Sequence, residues 1–479
     1  MQRLCWIGVS VRRTWRAWLV TLALLVVAGS ACATQTQPVH IGAGQSVVVL
    51  NGPWKFSTGD NIRWAGPDFD DSAWESVDLT APPGAYDADV GLSDYVPGWG
   101  ARGHPAYSGF GWYRLHVSVN AQDHRTLELL APADVDDAYQ VFFNDHLLAE
   151  AGDFAPVPPA VYSIQPRVIR LPPSLWWANG SDATGVIAFR VWMNASTARH
   201  DRSAGGLRVA PEIGTTDAVA ARYRVQWMEA FWYDIVDALL ATAFIVLAAM
   251  AFRLHVLNRA DPLYSWLTVA LALLSLSRAN QAFFFWTQVE SELQFAVSRS
   301  VLLDPMLLAA WTMTWRTAFG LHKGNRFPKL IGALTLAYMA TSLFSRSFMQ
   351  PMIPHPVVTD LKLAVTCLRW TMLLTNLYLV LRGARSRESW YVVPALLLVS
   401  IGLFARELNA MHIPGIWFPF GVGVSRTQFA FGAFDVAMFV LLLRRRSGLV
   451  RRDDRIRDEK PLGNGQPVAR REPTSSTPK

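Results

Sequence analysis

Three stretches decide the fold of the N-terminal half: Leu50-Asn51-Gly52-Pro53-Trp54-Lys55-Phe56, Pro67-Asp68-Phe69-Asp70-Asp71-Ser72-Ala73-Trp74 and Gly109-Phe110-Gly111-Trp112-Tyr113-Arg114. Each joins turn-forming residues to large aromatics. Trp54, Trp74 and Trp112 are expected in a core, because big aromatic rings dominate the interiors of β-sandwiches. Asp70, Asp71 and Ser72 are expected to hold a turn through side-chain-to-backbone bonds. Outward from these stretches, short runs rich in β-branched and aromatic residues alternate with Gly, Pro, Asp and Asn clusters. Ser46–Leu50, Tyr113–Val119, Thr126–Leu130, Ala138–Phe143, Arg167–Leu171 and Val186–Met193 read as strands of an all-β sandwich.

The chain has 479 residues, 51% hydrophobic and 17% charged, with a formal charge of +7. Its mean hydropathy, +0.19, is too high for a soluble globular protein and too low for a chain that is all membrane span. The 20 Trp and 25 Phe exclude disorder over most of the length, and three Cys exclude a disulfide scaffold. The positive charge is divided. Residues 1–33 carry four Arg and no acid; residues 34–215 carry 11 basic and 20 acidic side chains; residues 216–443 carry 18 and 12; the tail from Arg444 carries 11 and 5. A nucleic-acid-binding fold concentrates positive charge on one soluble domain, and none here does, so no nucleic-acid partner is expected.

Residues 1–33 have a basic stretch, an apolar run from Trp18 to Ala28 and the small residues Gly29-Ser30-Ala31-Cys32-Ala33. This is the layout of a secretory signal peptide with an Ala-x-Ala cut after Ala33; an uncleaved anchor is the alternative. Residues 34–215 are then an exported domain, 216–232 a linker, 233–446 a membrane domain and 447–479 a short basic disordered tail.

Seven apolar stretches fill the membrane domain: Tyr233–Phe252, Leu263–Phe285, Ala296–Phe319, Leu330–Ser345, Val357–Leu381, Trp390–Met411 and Gln428–Leu443; polar residues interrupt several of them, and six or eight spans are the alternatives. Helices of about 20 residues cross a bilayer. Lys and Arg fall on alternate loops, in Arg253–Pro262, Arg316–Lys329, Arg382–Glu388 and the tail, whereas Thr287–Gln294 and His412–Ser425 hold none. The positive-inside rule then puts the N-terminal domain outside the membrane and the C-terminus in the cytoplasm. The basic start of the tail, Arg444-Arg445-Arg446, is expected to contact membrane lipid.

Ionisable groups inside spans are costly and are functional hypotheses by default. Arg278, Asp304, Arg369 and Asp435 read as deep and form the candidate polar relay. Asp234, Arg406, Glu407 and Asn409 read as nearer the helix ends, where water solvates them. Static pairs that hold the bundle together are the alternative to a relay.

In the exported domain, Ala81–Ser108 is a long loop between strands. Its Tyr86, Asp87, Tyr95, Trp99, Arg102, His104 and Tyr107 suit stacking on a sugar ring or gripping a small polar ligand. The alternative is that the loop only packs over the end of the sandwich. No spacing of acids singles out a catalytic carboxylate pair, so no catalytic residue, metal or cofactor is expected.

The three opening stretches in their order resemble the galactose-binding-type jelly roll that fronts the β-galactosidase family of glycoside hydrolases. Ala138–Asp145 with Leu147-Leu148-Ala149 resembles that family's strand, Asn-Gly turn, strand segment, with Asp145 in place of the Gly. Those hydrolases carry catalysis in a separate barrel of about 250 residues, for which there is no room, so the chain is expected not to be an enzyme. Signal peptide, jelly roll and seven spans in this order resemble the bacterial seven-transmembrane receptors with diverse intracellular signalling modules. That resemblance implies a sensory receptor for a carbohydrate or other small ligand, with two expected domains, an all-β jelly-roll ectodomain and an all-α seven-helix bundle. The output modules of such receptors need well over 100 residues, and only Arg444–Lys479 follow the last span. A cytoplasmic signalling protein acting in trans is therefore the implied partner, and a homodimer is compatible with this layout. The alternative is a non-signalling, membrane-anchored polysaccharide-binding or envelope assembly protein.

Overall fold

The computed structural model describes residues 38–41, 47–87, 92–120, 127–200, 203–321, 326–346, 349, 352–383, 392–411 and 426–458. The expected signal peptide, the loop 412–425 and the end of the tail lie outside them. The chain divides into two compact units, one sheet-rich and one helical, meeting in sequence at Glu229 and Ala230.

The sheet-rich unit is built on two twelve-residue strands, Gly109–Asn120 and Asp182–Met193, paired antiparallel along their whole length from Gly109↔Met193 to Asn120↔Asp182. Trp54–Thr58 and Glu75–Val77 extend the sheet on one side. Ala138–Phe143 and His146–Ala151 extend it on the other. Val39–Ile41 and Trp177–Asn179 complete its eight strands. A second sheet runs Val168–Arg170, Leu127–Leu130, Glu212–Thr215, Val47–Val49. Each of the six runs read as strands from the sequence contains a strand of these sheets.

The alternation of a pleated strand sorts the side chains. From the long strands, Tyr113, Leu115, Val117, Val119, Ile187, Phe189, Val191 and Met193 join one buried cluster with Leu129, Ile169 and Ile213 of the second sheet. Trp112 and Ala188 point to the opposite face, where they pack with Ala65, Phe142, Trp64 and Trp74. Trp54 and Trp112 are fully buried and Trp74 half-buried. The hairpin at Asn144-Asp145 has φ of 45° and 70°, the left-handed geometry that suits a two-residue turn.

Asp70 behaves as the sequence predicts, its Oδ1 accepting from the Ser72 amide at 3.0 Å. Asp71 does not. Its carboxylate turns inward and accepts from Arg114 Nε at 2.8 Å and from His116 Nε2 at 3.0 Å. The Arg114 guanidinium, 0% exposed, also donates to the carbonyls of Trp64, Gly66 and Phe69. One cation thus clamps residues 64–71 onto the sheet.

Among the described residues the helical unit has six helices long and apolar enough to cross a membrane: Thr216–Leu257, Pro262–Trp286, Glu292–Ala318, Arg326–Phe344, Pro356–Gly383 and Thr427–Ser447. These make the chain a membrane protein. Residues 216–232, expected as a linker, are helical. The stretch expected as the sixth span is a shorter apolar helix, Val393–Leu403, followed by Ala405–Ala410. The last helix runs on to Asp458. Within Glu292–Ala318 the turn Ser298–Leu303 is π-helical, one residue wider than its neighbours. Phe244, Leu271, Trp311, Leu396 and Phe434 lie at the centre of the main helical core.

Candidate functional site

The loop between Ala81 and Ser108 engages the sheet unit's own residues rather than converging on a cavity. Its backbone pairs with the return segment 203–208: Gly98 N donates to Ser203 O at 2.8 Å and Trp99 N to Gly205 O at 2.9 Å. Trp99, 1% exposed, stacks on Phe56 at 5.7 Å, so it is a core residue rather than an exposed platform. It fits because residues 205 and 206 are glycine, with φ +115° and +86°; a Cβ at 205 would meet Trp99 Nε1 at 2.2 Å, and one at 206 would meet Trp99 Cε3 at 3.0 Å and Tyr113 Cζ at 2.8 Å.

The Tyr95 ring faces Arg208 at 4.4 Å, and Arg208 Nη1 donates to Asp136 Oδ2 at 2.8 Å. Arg102 donates to the carbonyls of Asp78 and Pro97. His104 lies 3.0 Å from Glu75 Oε1. Tyr107 donates from its hydroxyl to Phe110 O at 2.7 Å and accepts from Gly59 N at 3.1 Å. Burial pushes the Tyr107 hydroxyl above its ordinary pKa. Tyr86 and Asp87 lie on a two-residue strand paired with Leu92–Ser93. Tyr95, Trp99, Arg102, His104 and Tyr107 thus each have a contact within the sheet-rich unit.

The polar residues of the helical unit do come together. Arg369, on His355–Gly383, is the centre. Its Nε and Nη2 grip both carboxylate oxygens of Glu407, the latter at 2.9 Å. Nη1 donates to the Tyr338 hydroxyl at 3.0 Å, Nη2 to Leu403 O at 3.2 Å, and Asp304 Oδ2 lies 3.6 Å away. Four helical segments, carrying Asp304, Tyr338, Arg369 and Glu407, meet at one guanidinium. Arg278 pairs instead with Asp237 Oδ1 at 3.2 Å. Arg278, Asp304 and Arg369 line one cavity of about 90 Å³; Asp435 is not among its walls, and its buried Oδ1 has no hydrogen-bond partner among the described residues.

Two expectations are corrected. Glu407, read as a solvated group near a helix end, is 5% exposed and chelated by Arg369. Asp234, read the same way, is also buried. Hydropathy puts both close to helix ends, but their neighbours are protein. Arg369 and Glu407 stand 38 positions apart on different helices, and no sequence periodicity links them.

No family model matches the chain. No curated protein matches it. Solved structures are similar to its sheet-rich part. A calcium-binding mutant of Bacteroides uniformis β-glucuronidase 2 is 19% identical with a TM-score of 0.25, over 35% of this chain and 18% of that one. A glycosyl hydrolase family 2 member from Bacteroides cellulosilyticus is 18% identical with a TM-score of 0.25, over 36% and 20%. Ruminococcus gnavus β-glucuronidase is 12% identical with a TM-score of 0.23, over 35% and 27%. The chain spans less than a third of the length of each.

The class so defined is a membrane protein with a helical C-terminal half and a sheet-rich N-terminal region similar to parts of family 2 glycosyl hydrolases. The expectation that the chain is not an enzyme is corrected by this finding, because the similar structures are β-glucuronidases, which are enzymes.

Proposed function

We propose that the chain is an inner-membrane sensory receptor. On this reading a jelly-roll domain in the periplasm takes up a carbohydrate or other small ligand, and a seven-helix bundle relays its occupancy to a separate cytoplasmic signalling protein. The observation that carries the reading is the Arg369 node, a single buried cation joined to Asp304, Tyr338, Leu403 and Glu407 on different helical segments. On this reading ligand binding favours a second arrangement of the joint, since a ligand shifts an equilibrium only by binding its two states differently. The seventh crossing on this reading is Val393–Leu403 with Ala405–Ala410. Phe404 N bonds back to Ser400 O and Leu408 N to Phe404 O, so helices of 11 and 6 residues continue one another through Phe404, and the 18 residues from Val393 to Ala410 rise about 27 Å at helical pitch, close to the hydrocarbon thickness. The alternate-loop placement of Lys and Arg supports the orientation.

A second reading, a non-signalling membrane-anchored polysaccharide-binding or assembly protein, draws on the half-buried Phe110, Phe154 and Trp192. Phe110 and Phe154 stand against the Arg190 guanidinium, and Trp192 packs on Phe110. A thermal-shift screen of neutral sugars on the detergent-solubilised full chain, followed by a transcriptional response to the hit, separates the two. The receptor reading predicts that Arg369→Gln keeps the sugar-dependent shift and loses the response. A response that survives in the variant removes the relay, and no shift with any neutral sugar removes the carbohydrate ligand.

A further inference from the structure

The cavity beside the Arg369 node has an unusual wall. Four guanidinium groups line it, from Arg278, Arg299, Arg369 and Arg406. Among the described residues three carboxylates pair with them: Asp237 with Arg278, and Asp304 and Glu407 with Arg369. Among the described residues Arg299 makes no ion pair; its Nη1 donates to Gln281 Oε1 at 2.8 Å and its guanidinium stands over the Phe295 ring. Arg406 has no ion-pair partner among the described residues. The Nε of Arg278 is buried with no acceptor among them. Asp304, Ser277 and Thr427 are the other polar residues of the wall, and the rest is apolar, including Leu274, Leu307, Leu308 and Phe431.

These features point one way. Positive charge left uncompensated against apolar walls is unfavourable until an anion enters, and the same walls strengthen its attraction once there. Guanidinium groups match carboxylate and phosphate oxygens in geometry as well as charge. The backbone is shaped for the purpose: Arg299 sits in the π-helical turn Ser298–Leu303, and Asp304 follows it directly. Widened turns of this kind occur frequently at functional sites. A volume of about 90 Å³ admits a compact group equal to about three waters, far short of a sugar chain.

We propose that the helical unit holds a binding site for a small oxyanion, a carboxylate or phosphate group, received by Arg299 and Arg406 beside the Arg369 node. It is independent of any ligand of the sheet-rich unit, so the neutral-sugar screen and the following experiment fail separately.

The test is thermal unfolding of the full chain in nanodiscs, titrated with inorganic phosphate or acetate against chloride at matched ionic strength. The expected result is a saturable rise in midpoint with at least one oxyanion and none with chloride. In Arg299→Gln/Arg406→Gln the rise is lost. Should that double variant fail to fold, Arg406→Gln alone changes an exposed side chain and is expected to weaken half-saturation at least threefold. Nanodiscs of phosphatidylcholine and of phosphatidylglycerol separate two sources of the group. A rise present in the first and already complete in the second identifies the lipid headgroup; an equal rise in both identifies a free ion. No oxyanion-specific rise, or an unchanged rise in the folded variants, overturns the proposal.

Discussion

Asp71 and Arg114 meet at 2.8 Å, with the guanidinium sealed from solvent beneath the segment it holds. Breaking a buried pair by removing one partner costs about 3–5 kcal/mol, because it strands the other charge. Asp71→Asn is therefore expected to lower the stability of the sheet-rich unit by that order. Urea unfolding of the full chain followed by tryptophan fluorescence reads it, since Trp64, Trp74 and Trp112 pack beside the clamp.

The same pair predicts a pH dependence. Burial works to raise the Asp71 carboxyl, but the hydrogen bonds and charges of His116 and Arg114 outweigh it and hold the carboxyl below its ordinary 3.8. The folded carboxyl thus gives up its proton more readily than the unfolded one. Its contribution is complete above about pH 5 and is lost as pH falls through 3.8 and below. The unfolding midpoint of the native chain should fall more between pH 5 and 3 than that of Asp71→Asn.

Gly206→Ala should be among the most damaging single-methyl changes in the sheet-rich unit. The residue has φ +86°, and the added carbon meets Tyr113 and Trp99 together. Both rings are buried and neither can swing aside. A loss above about 2 kcal/mol is expected from backbone strain and overpacking combined. Near-ultraviolet circular dichroism during thermal unfolding gives the change, and a loss below 0.5 kcal/mol on the order of surface substitutions would show that the Trp99 seat is soft.

In the helical unit, Glu407→Gln alone is expected to destabilise by about 3–5 kcal/mol, as it leaves Arg369 short of its closest counter-charge. Arg369→Met/Glu407→Leu should recover most of that loss, since apolar replacement of both partners is often neutral. Thermal unfolding in detergent tests the pair, and strict additivity of the two changes would contradict it.

The strands were legible because alternation is local: Tyr113, Leu115 and Val117 announce an inward face within five residues. The polar clamps were not, because Arg114 finds Asp71 across 43 positions and Arg369 finds Glu407 across 38. For the same reason Asp71 reads as one more turn residue beside Asp70, and only the fold shows that it faces inward. Trp99 was misread from its setting, since an aromatic in a long polar loop looks exposed until the glycine at 206 leaves a slot for it. The spans were visible by hydropathy, but the pairing of charges between them depends on which helices touch.

Arg369 spreads its donors over a hydroxyl on Arg326–Phe344 and, four residues apart on another stretch of chain, the Leu403 main-chain carbonyl and the Glu407 carboxylate. A slide of its helix by a single turn, about 5.4 Å, exceeds the reach of all these bonds at once. The helices it ties are therefore not free to yield by small degrees. They keep one register together or abandon it together, and this makes the joint behave as a latch rather than a spring.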